Sequence, residues 1–214
     1  ELPLVMSMTE SLVATILNQQ IRLRSFFRTV TYLPWVMSMV VASTLWRWLY
    51  SPEYGLLNYF LNQIGLPGSY WHTDPATAML SVIIVGVWKS VGWNVVVFLA
   101  GLQGIPTSLY EAAQIDGANS RQQFAYITLP LLRSTTTFIV VMSWIQSFQV
   151  FDAIYVLTAG GPLNATTVMA MQIYENGFQY LHMGYASAQA YILFLMVMIG
   201  IYLYLRRMKT EVVY

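Results

Sequence analysis

The side chains able to do chemistry in this chain are few enough to take almost one at a time. It has ten lysines and arginines, nine aspartates and glutamates, two histidines and no cysteine. Without cysteine there is no disulfide and no thiolate metal site. His72 and His182 lie far apart in polar stretches, so no metal ligand set is assigned. There is no G-x-S-x-G, no H-E-x-x-H and no pair of aspartates within an apolar stretch, which leaves no catalytic residue to name. A G-x-x-x-x-G-K-[ST] phosphate loop is also missing, and Gly160-Gly161 lacks the lysine, so ATP hydrolysis is not expected of this chain and no cofactor is assigned to it. What remains suits binding. Lys89 has Trp93 one helical turn later on the same face, and Ser143, Gln146, Ser147 and Gln149 form a polar stripe. Amides and hydroxyls beside an aromatic face are the groups that hold a sugar; the same side chains also serve as hydrogen-bonding glue between packed helices.

The elements that must position these residues follow from composition. The chain is 57% hydrophobic and 9% charged, against roughly 25% charged in an ordinary soluble domain. Mean hydropathy is +0.56. So few charges cannot cover the surface of a soluble domain of this size, and a net charge of +1 gives no nucleic-acid footprint. A membrane protein is expected, and crossing a bilayer takes about 20 mostly apolar residues. Five stretches qualify: 2–17, which is short and interrupted by Glu10, then 31–50, 76–102, 131–151 and 186–205. Lys89 and Trp93 fall in the third, and the Ser/Gln stripe in the fourth. No period of 20–50 residues is present, so residues 1–214 read as one all-α, polytopic domain. The chain opens at Glu1 beside an apolar stretch, and further residues are expected upstream.

Charge fixes an expected orientation. Arg22, Arg24, Arg28, Arg121, Arg133, Arg206, Arg207 and Lys209 fall in segments 18–30, 103–133 and 206–214, while 51–75 and 152–185 contain no lysine or arginine. The positive-inside rule places the first group of segments in the cytoplasm, with the C-terminus. Trp46, Trp48 and Trp71 then sit near the outer boundary and read as interfacial belt residues.

The cytoplasmic connector at 108–130 is too polar for membrane and too patterned for a passive loop. It runs Glu111-Ala112-Ala113-Gln114-Ile115-Asp116-Gly117, then Ile127-Thr128-Leu129-Pro130. Two short helices with a tight turn at Asp116-Gly117 are expected, because glycine supplies the backbone freedom a turn needs. The carboxylate and small-residue face suit docking into a groove on a partner.

Those positions resemble the EAA loop of ABC importer permeases: E-A-A, a glycine four residues after the second alanine, and I-x-L-P ten residues beyond it. Phe27-Arg28, Leu33-Pro34, Trp46-Arg47-Trp48, Gly55-Leu56-Leu57-Asn58, Trp88-Lys89, Gly101-Leu102-Gln103 and Ile105-Pro106 are similar to the maltose, multiple-sugar and glycerol-3-phosphate branch. So are Leu157-Thr158-Ala159-Gly160-Gly161-Pro162 and Gly184-Tyr185-Ala186-Ser187-Ala188.

The resemblance implies a type I importer transmembrane domain in a bacterial inner membrane, carrying a sugar or oligosaccharide, with a polyol or glycerol phosphate as the alternative. It implies a second homologous permease subunit, two ATPase subunits that hold ATP and magnesium, and an extracytoplasmic solute-binding protein. Such permeases usually have at least six spans, one more than is visible here. Glu111 would anchor the coupling helix, Ala112 and Ala113 would permit close approach, and Gly117 would set the bend. Asp116 would cap the second helix or meet the ATPase. Ile127, Leu129 and Pro130 complete the pattern, and similarity to the maltose permease adds Trp35 to the substrate path. A secondary transporter would account for the spans and for Lys89, but not for the EAA loop.

Overall fold

The computed structural model describes residues 24–208, and the stretch expected to span at 2–17 lies outside them. Among the described residues all regular structure is helical. Two helices, α4 (Ala78–Gln103) and α10 (Met183–Met208), are each long and apolar enough to cross a membrane. At about 1.5 Å per residue each is roughly 39 Å long, enough for a hydrocarbon core of about 30 Å. They correspond to the stretches expected at 76–102 and 186–205. Only 6% of the most apolar window of α10 is buried by protein, against 39% for α4. The outward Ile192, Phe194, Leu195 and Ile199 of α10 therefore have lipid as their natural solvent.

Of the other two expected spans, one is broken and one begins at a bend. The stretch at 31–50 forms α1 (Arg24–Val36) and α2 (Met39–Leu49). Pro34 has no amide hydrogen to continue the ladder. Ser38 then takes an extended conformation, and its hydroxyl accepts the Val41 amide at 3.2 Å, starting a new helix. Before the stretch expected at 131–151, α6 (Ser120–Leu131) meets α7 (Arg133–Phe148) at a bend of 63°. The cause lies in α6, where Phe124–Thr128 form a π turn closed by the Leu129 amide on the Phe124 carbonyl, followed by Pro130. Four spans result if each bent pair counts as one.

The helices make two compact units, residues 24–36 with 89–143 and residues 37–88 with 144–208. The core of the first is Val95, Phe98, Leu99, Leu102, Ile105, Leu132 and Ile139. There α1 and α4 touch through backbone: a Cβ on Gly92 would strike the Thr31 carbonyl oxygen and come within 3.0 Å of the Tyr32 Cα.

The core of the second unit is Tyr50, Val82, Val85, Ala153, Ile154 and Leu157. The Tyr50 hydroxyl donates to the Ser81 carbonyl at 3.0 Å. Beside it, buried Asn58 of α3 (Leu56–Gln63) holds the following loop. Its Nδ2 donates to the carbonyls of Pro52 (3.2 Å) and Ser69 (2.9 Å), and its Oδ1 accepts from the Ser69 amide (3.0 Å) and Trp71 Nε1 (2.8 Å). Two of the three tryptophans expected in an interfacial belt have protein partners. Trp48 is 50% exposed, but Trp46 packs on Tyr50 and Trp88, and Trp71 stacks on Tyr50. Ring partners draw Trp46 inward, and a ring partner together with the Asn58 acceptor draws Trp71 inward.

Candidate functional site

The connector at 108–130 is the most sharply built part of the molecule. Helix α5 (Thr107–Ile115) ends in a Schellman cap: the Gly117 amide donates to Gln114 at 3.0 Å and the Ala118 amide to Ala113 at 2.8 Å. That cap requires a left-handed residue, and Gly117 sits at φ 80°. Helix α6 opens on a reciprocal capping box, with Asn119 Oδ1 accepting the Gln122 amide (2.9 Å) and Gln122 Oε1 accepting the Asn119 amide (2.8 Å). The turn is thus the expected one, but Asp116 is the C-cap of α5, and Asn119 is the residue that caps the second helix. Asn119 fits because its side-chain oxygen stands three residues before Gln122.

Across the hairpin the Tyr110 hydroxyl and Thr128 Oγ1 lie 2.9 Å apart and tie α5 to α6. Ile127 packs against the first core, and Leu129 is half-buried beside Pro130. Glu111, Ala112, Asp116 and Gly117 are exposed, Ala113 less so. With them stand Ile115, 87% exposed, and Tyr126, 80% exposed. These two large apolar side chains, and the Tyr110–Thr128 clasp, were not singled out from sequence. Within an otherwise polar connector, an isoleucine and a tyrosine with no evident apolar period were the available signal.

In the first unit, the structure brings together three residues assigned to the substrate path. The Lys89 ammonium donates to the carbonyls of Trp35 at 3.0 Å and Pro34 at 3.4 Å. It also lies 5.3 Å from the centre of the Trp35 ring, which is stacked on Trp93 at 5.2 Å. The carbonyls are among the last of α1, where helical acceptors lack partners and the dipole is negative. A cation within a spanning helix has thus found a helix C-terminus, with an aromatic face beside it.

The polar stripe is only partly as expected. Ser143, Gln146 and Ser147 lie on one face of α7, whereas Gln149 lies past its end in a turn closed by its own amide on the Gln146 carbonyl at 3.2 Å. Gln146, Ser147 and Gln149 are exposed and belong to the second unit, Ser143 to the first. The Ser147 hydroxyl donates to the Trp144 carbonyl at 2.8 Å.

The Leu157-Thr158-Ala159-Gly160-Gly161-Pro162 stretch closes on itself. Thr158 and Thr166 hydroxyls are 2.7 Å apart, Thr166 donates to the Gly161 carbonyl at 2.8 Å and Thr167 to Gly160 at 3.2 Å. Ala159, Gly160, Leu163 and Asn164 all hold positive φ, and Leu163 is left 90% exposed at the tip.

The sequence pattern of binding-protein-dependent transport system inner membrane components matches residues 10–210. The chain belongs to that family. Among the relatives of this inner membrane component is the trehalose/maltose transport system permease protein MalF of Thermococcus litoralis, 36% identical over 90% of this chain and 65% of that protein. Another is the sn-glycerol-3-phosphate transport system permease protein UgpA of Agrobacterium fabrum, 38% identical over 87% of this chain and 64% of that one. This component spans 58–67% of the length of the first curated relatives it matches. Its fold matches a chain of a bacterial ABC transporter involved in the import of the acidic polysaccharide alginate, with TM-score 0.84 and 28% identity over 98% of this chain and 78% of that one. The fold is accordingly that of an ABC importer permease, all-helical as expected.

Proposed function

We propose that this chain is the membrane-spanning permease subunit of an ATP-driven importer that carries a sugar or oligosaccharide. The coupling hairpin carries the reading: two short helices, locked to each other, leave Glu111, Ile115 and Tyr126 exposed on a connector whose Arg121, with Arg133 just beyond it, fits the cytoplasmic side. An apolar-and-charged surface held at a defined angle suits the groove of an ATPase subunit. In this reading two such subunits bind ATP and magnesium, and a second homologous permease completes the pathway. A binding protein delivers the solute at the outer face, and the C-terminus is cytoplasmic.

Transport is then rigid-body switching between two states, with ATP binding biasing the equilibrium. The Ser/Gln stripe and the Lys89–Trp35–Trp93 cluster supply the hydrogen-bonding and aromatic groups along the path. Similarity to UgpA keeps glycerol phosphate as the second reading of the substrate. The test is reconstitution in proteoliposomes with the partner permease, the ATPase and the binding protein, across a panel of neutral sugars, polyols and sn-glycerol 3-phosphate. ATP-dependent uptake of a sugar is expected; uptake without any ATPase present refutes the importer reading.

A further inference from the structure

Four aromatic rings of the second unit form a continuous ladder that none of the roles above employs. Phe151 precedes α8 (Asp152–Leu157), which carries Tyr155; Tyr174 ends α9 (Met169–Tyr174), and Phe178 lies on the π turn that follows. Ring centres are 5.3 Å apart for Phe151–Tyr155, 4.9 Å for Phe151–Tyr174, 5.7 Å for Tyr155–Tyr174 and 5.7 Å for Tyr174–Phe178. Burial does not explain them: Tyr155 is 44% and Phe178 68% exposed. The Tyr155 phenol lies close enough to push the pKa of the Tyr174 hydroxyl up. Rings and hydroxyls are therefore held in fixed relation by two helices, each ring restrained by its neighbours.

The polar surroundings have a sign. Asp152 opens α8 and Glu175 follows Tyr174, while no lysine or arginine occurs from 152 to 185. Among the described residues Arg47 contacts α8, donating to the Val156 carbonyl at 3.4 Å. Gln149, exposed at the end of the α7 stripe, is two residues before Phe151. Preformed aromatic faces in a neighbourhood of carboxylate, amide and phenol groups suit a pyranose: its C–H face stacks on a ring and its hydroxyls bond to polar groups, and here Asp152 follows Phe151 and Glu175 follows Tyr174 in sequence. The same carboxylates repel a phosphate or a uronate.

We propose that the Phe151–Tyr155–Tyr174–Phe178 ladder is a sugar-binding wall that takes a neutral pyranose ring and disfavours an anionic solute. The inference rests on the importer reading and adds to it a site and a selectivity. A tyrosine and phenylalanine belt at the membrane interface is the competing account, and Tyr191, 72% exposed on α10, is the belt-type residue for comparison.

The test uses the complete importer, with its binding protein and ATPase, assayed for uptake of neutral mono- and disaccharides and of sn-glycerol 3-phosphate. Loss of one stacking ring in Tyr155→Leu or Phe178→Leu is expected to raise KM for the carried neutral sugar about fivefold, with a smaller effect on kcat. Tyr155→Phe, which keeps the ring, recovers most of that loss, and Tyr191→Leu leaves KM unchanged. Thermal melts of the purified complexes establish that the variants fold, and Phe178, the more exposed ring, is the substitution that disturbs packing least. Wild-type KM in both Leu variants, or an equal shift in Tyr191→Leu, overturns the ladder while sugar import stands. A wild-type importer that carries sn-glycerol 3-phosphate and no neutral sugar overturns both.

Discussion

Substitution of Gly117 isolates the torsional demand of the coupling turn. A Cβ built there meets nothing within 4 Å, and φ is 80°, so a side chain costs backbone strain and no collision. For an L-residue the left-handed conformation costs about 1–2 kcal/mol. Replacing glycine by alanine recovers about 0.4–1 kcal/mol by stiffening the unfolded chain, leaving a net penalty of about 1 kcal/mol for Gly117→Ala. Valine, stiff at χ1, is worse, and asparagine, which tolerates this region, is nearly neutral. If the Schellman cap sets the angle between α5 and α6, and that angle transmits ATPase motion, sugar carried per ATP hydrolysed falls in the order Gly, Asn, Ala, Val. About 1 kcal/mol corresponds to roughly a fivefold shift between turn conformers, so Gly117→Ala should lose up to about that factor and valine more. The assay is paired uptake and phosphate release in proteoliposomes. Wild-type stoichiometry in Gly117→Val, or an asparagine variant as impaired as valine, refutes the torsional reasoning.

Other perturbations probe the frame. Asn58→Ala strips four hydrogen-bond partners from the 52–71 loop, and at about 1 kcal/mol each, less what water restores, it should lower stability by about 2–4 kcal/mol in a thermal melt. A Cβ on Gly200 would come within 2.6 Å of Trp144 Cε2 and 2.7 Å of its Nε1; Gly200→Ala should cost about 1–3 kcal/mol, recovered in part by Trp144→Phe. His72 has its pKa lowered by burial and by the Arg47 charge, so its folded state favours the neutral ring. Its contribution is present above the unfolded value of about 6.5 and is lost as pH falls through the lower folded value. The melting temperature should therefore drop on acidification below about pH 6.5, and His72→Phe should flatten that part of the profile. Lys89→Met removes the cation from the carbonyls of Pro34 and Trp35 and should lower stability by about 1–3 kcal/mol; an unchanged melt shows that the helix end is satisfied some other way.

What the sequence made legible tracks how local each cause is. The turn at Gly117 is read from a glycine following a short helix, and the long helices from uninterrupted apolar runs. The Asn119–Gln122 spacing was equally local, yet Asp116 stood nearer the glycine and drew the capping role. Pro34 and Ser38 announce a break, but the apolar run from 31 to 50 covers it. Non-local causes left no such mark. Trp71 turns inward because Asn58, thirteen residues away, offers it an acceptor. A lysine in an apolar helix demands a partner, but the carbonyls that serve Lys89 belong to backbone and have no letter. The aromatic ladder is spread over 28 residues from Phe151 to Phe178, and only the packing of α8 and α9 assembles it.

A segment that transmits motion between proteins must be stiffer than the contact it makes, otherwise the stroke is absorbed within it. The coupling hairpin meets that requirement with its own atoms: the cap at Gly117 and the box at Asn119 fix the turn, and the Tyr110–Thr128 clasp ties the two helices beyond it. None of these bonds draws on Glu111, Ile115 or Tyr126, which remain outward. Docking therefore need not order the loop, and the conformational entropy a flexible loop would lose on binding is already spent in folding. Division into a rigid inner frame and a free outer face predicts two kinds of substitution. Tyr110→Phe or Gly117→Val should loosen the frame and impair transport per ATP, while Ile115→Ser should weaken ATPase association and leave the hairpin intact. A single phenotype for all three, measured by co-purification of the ATPase alongside uptake, argues against the division.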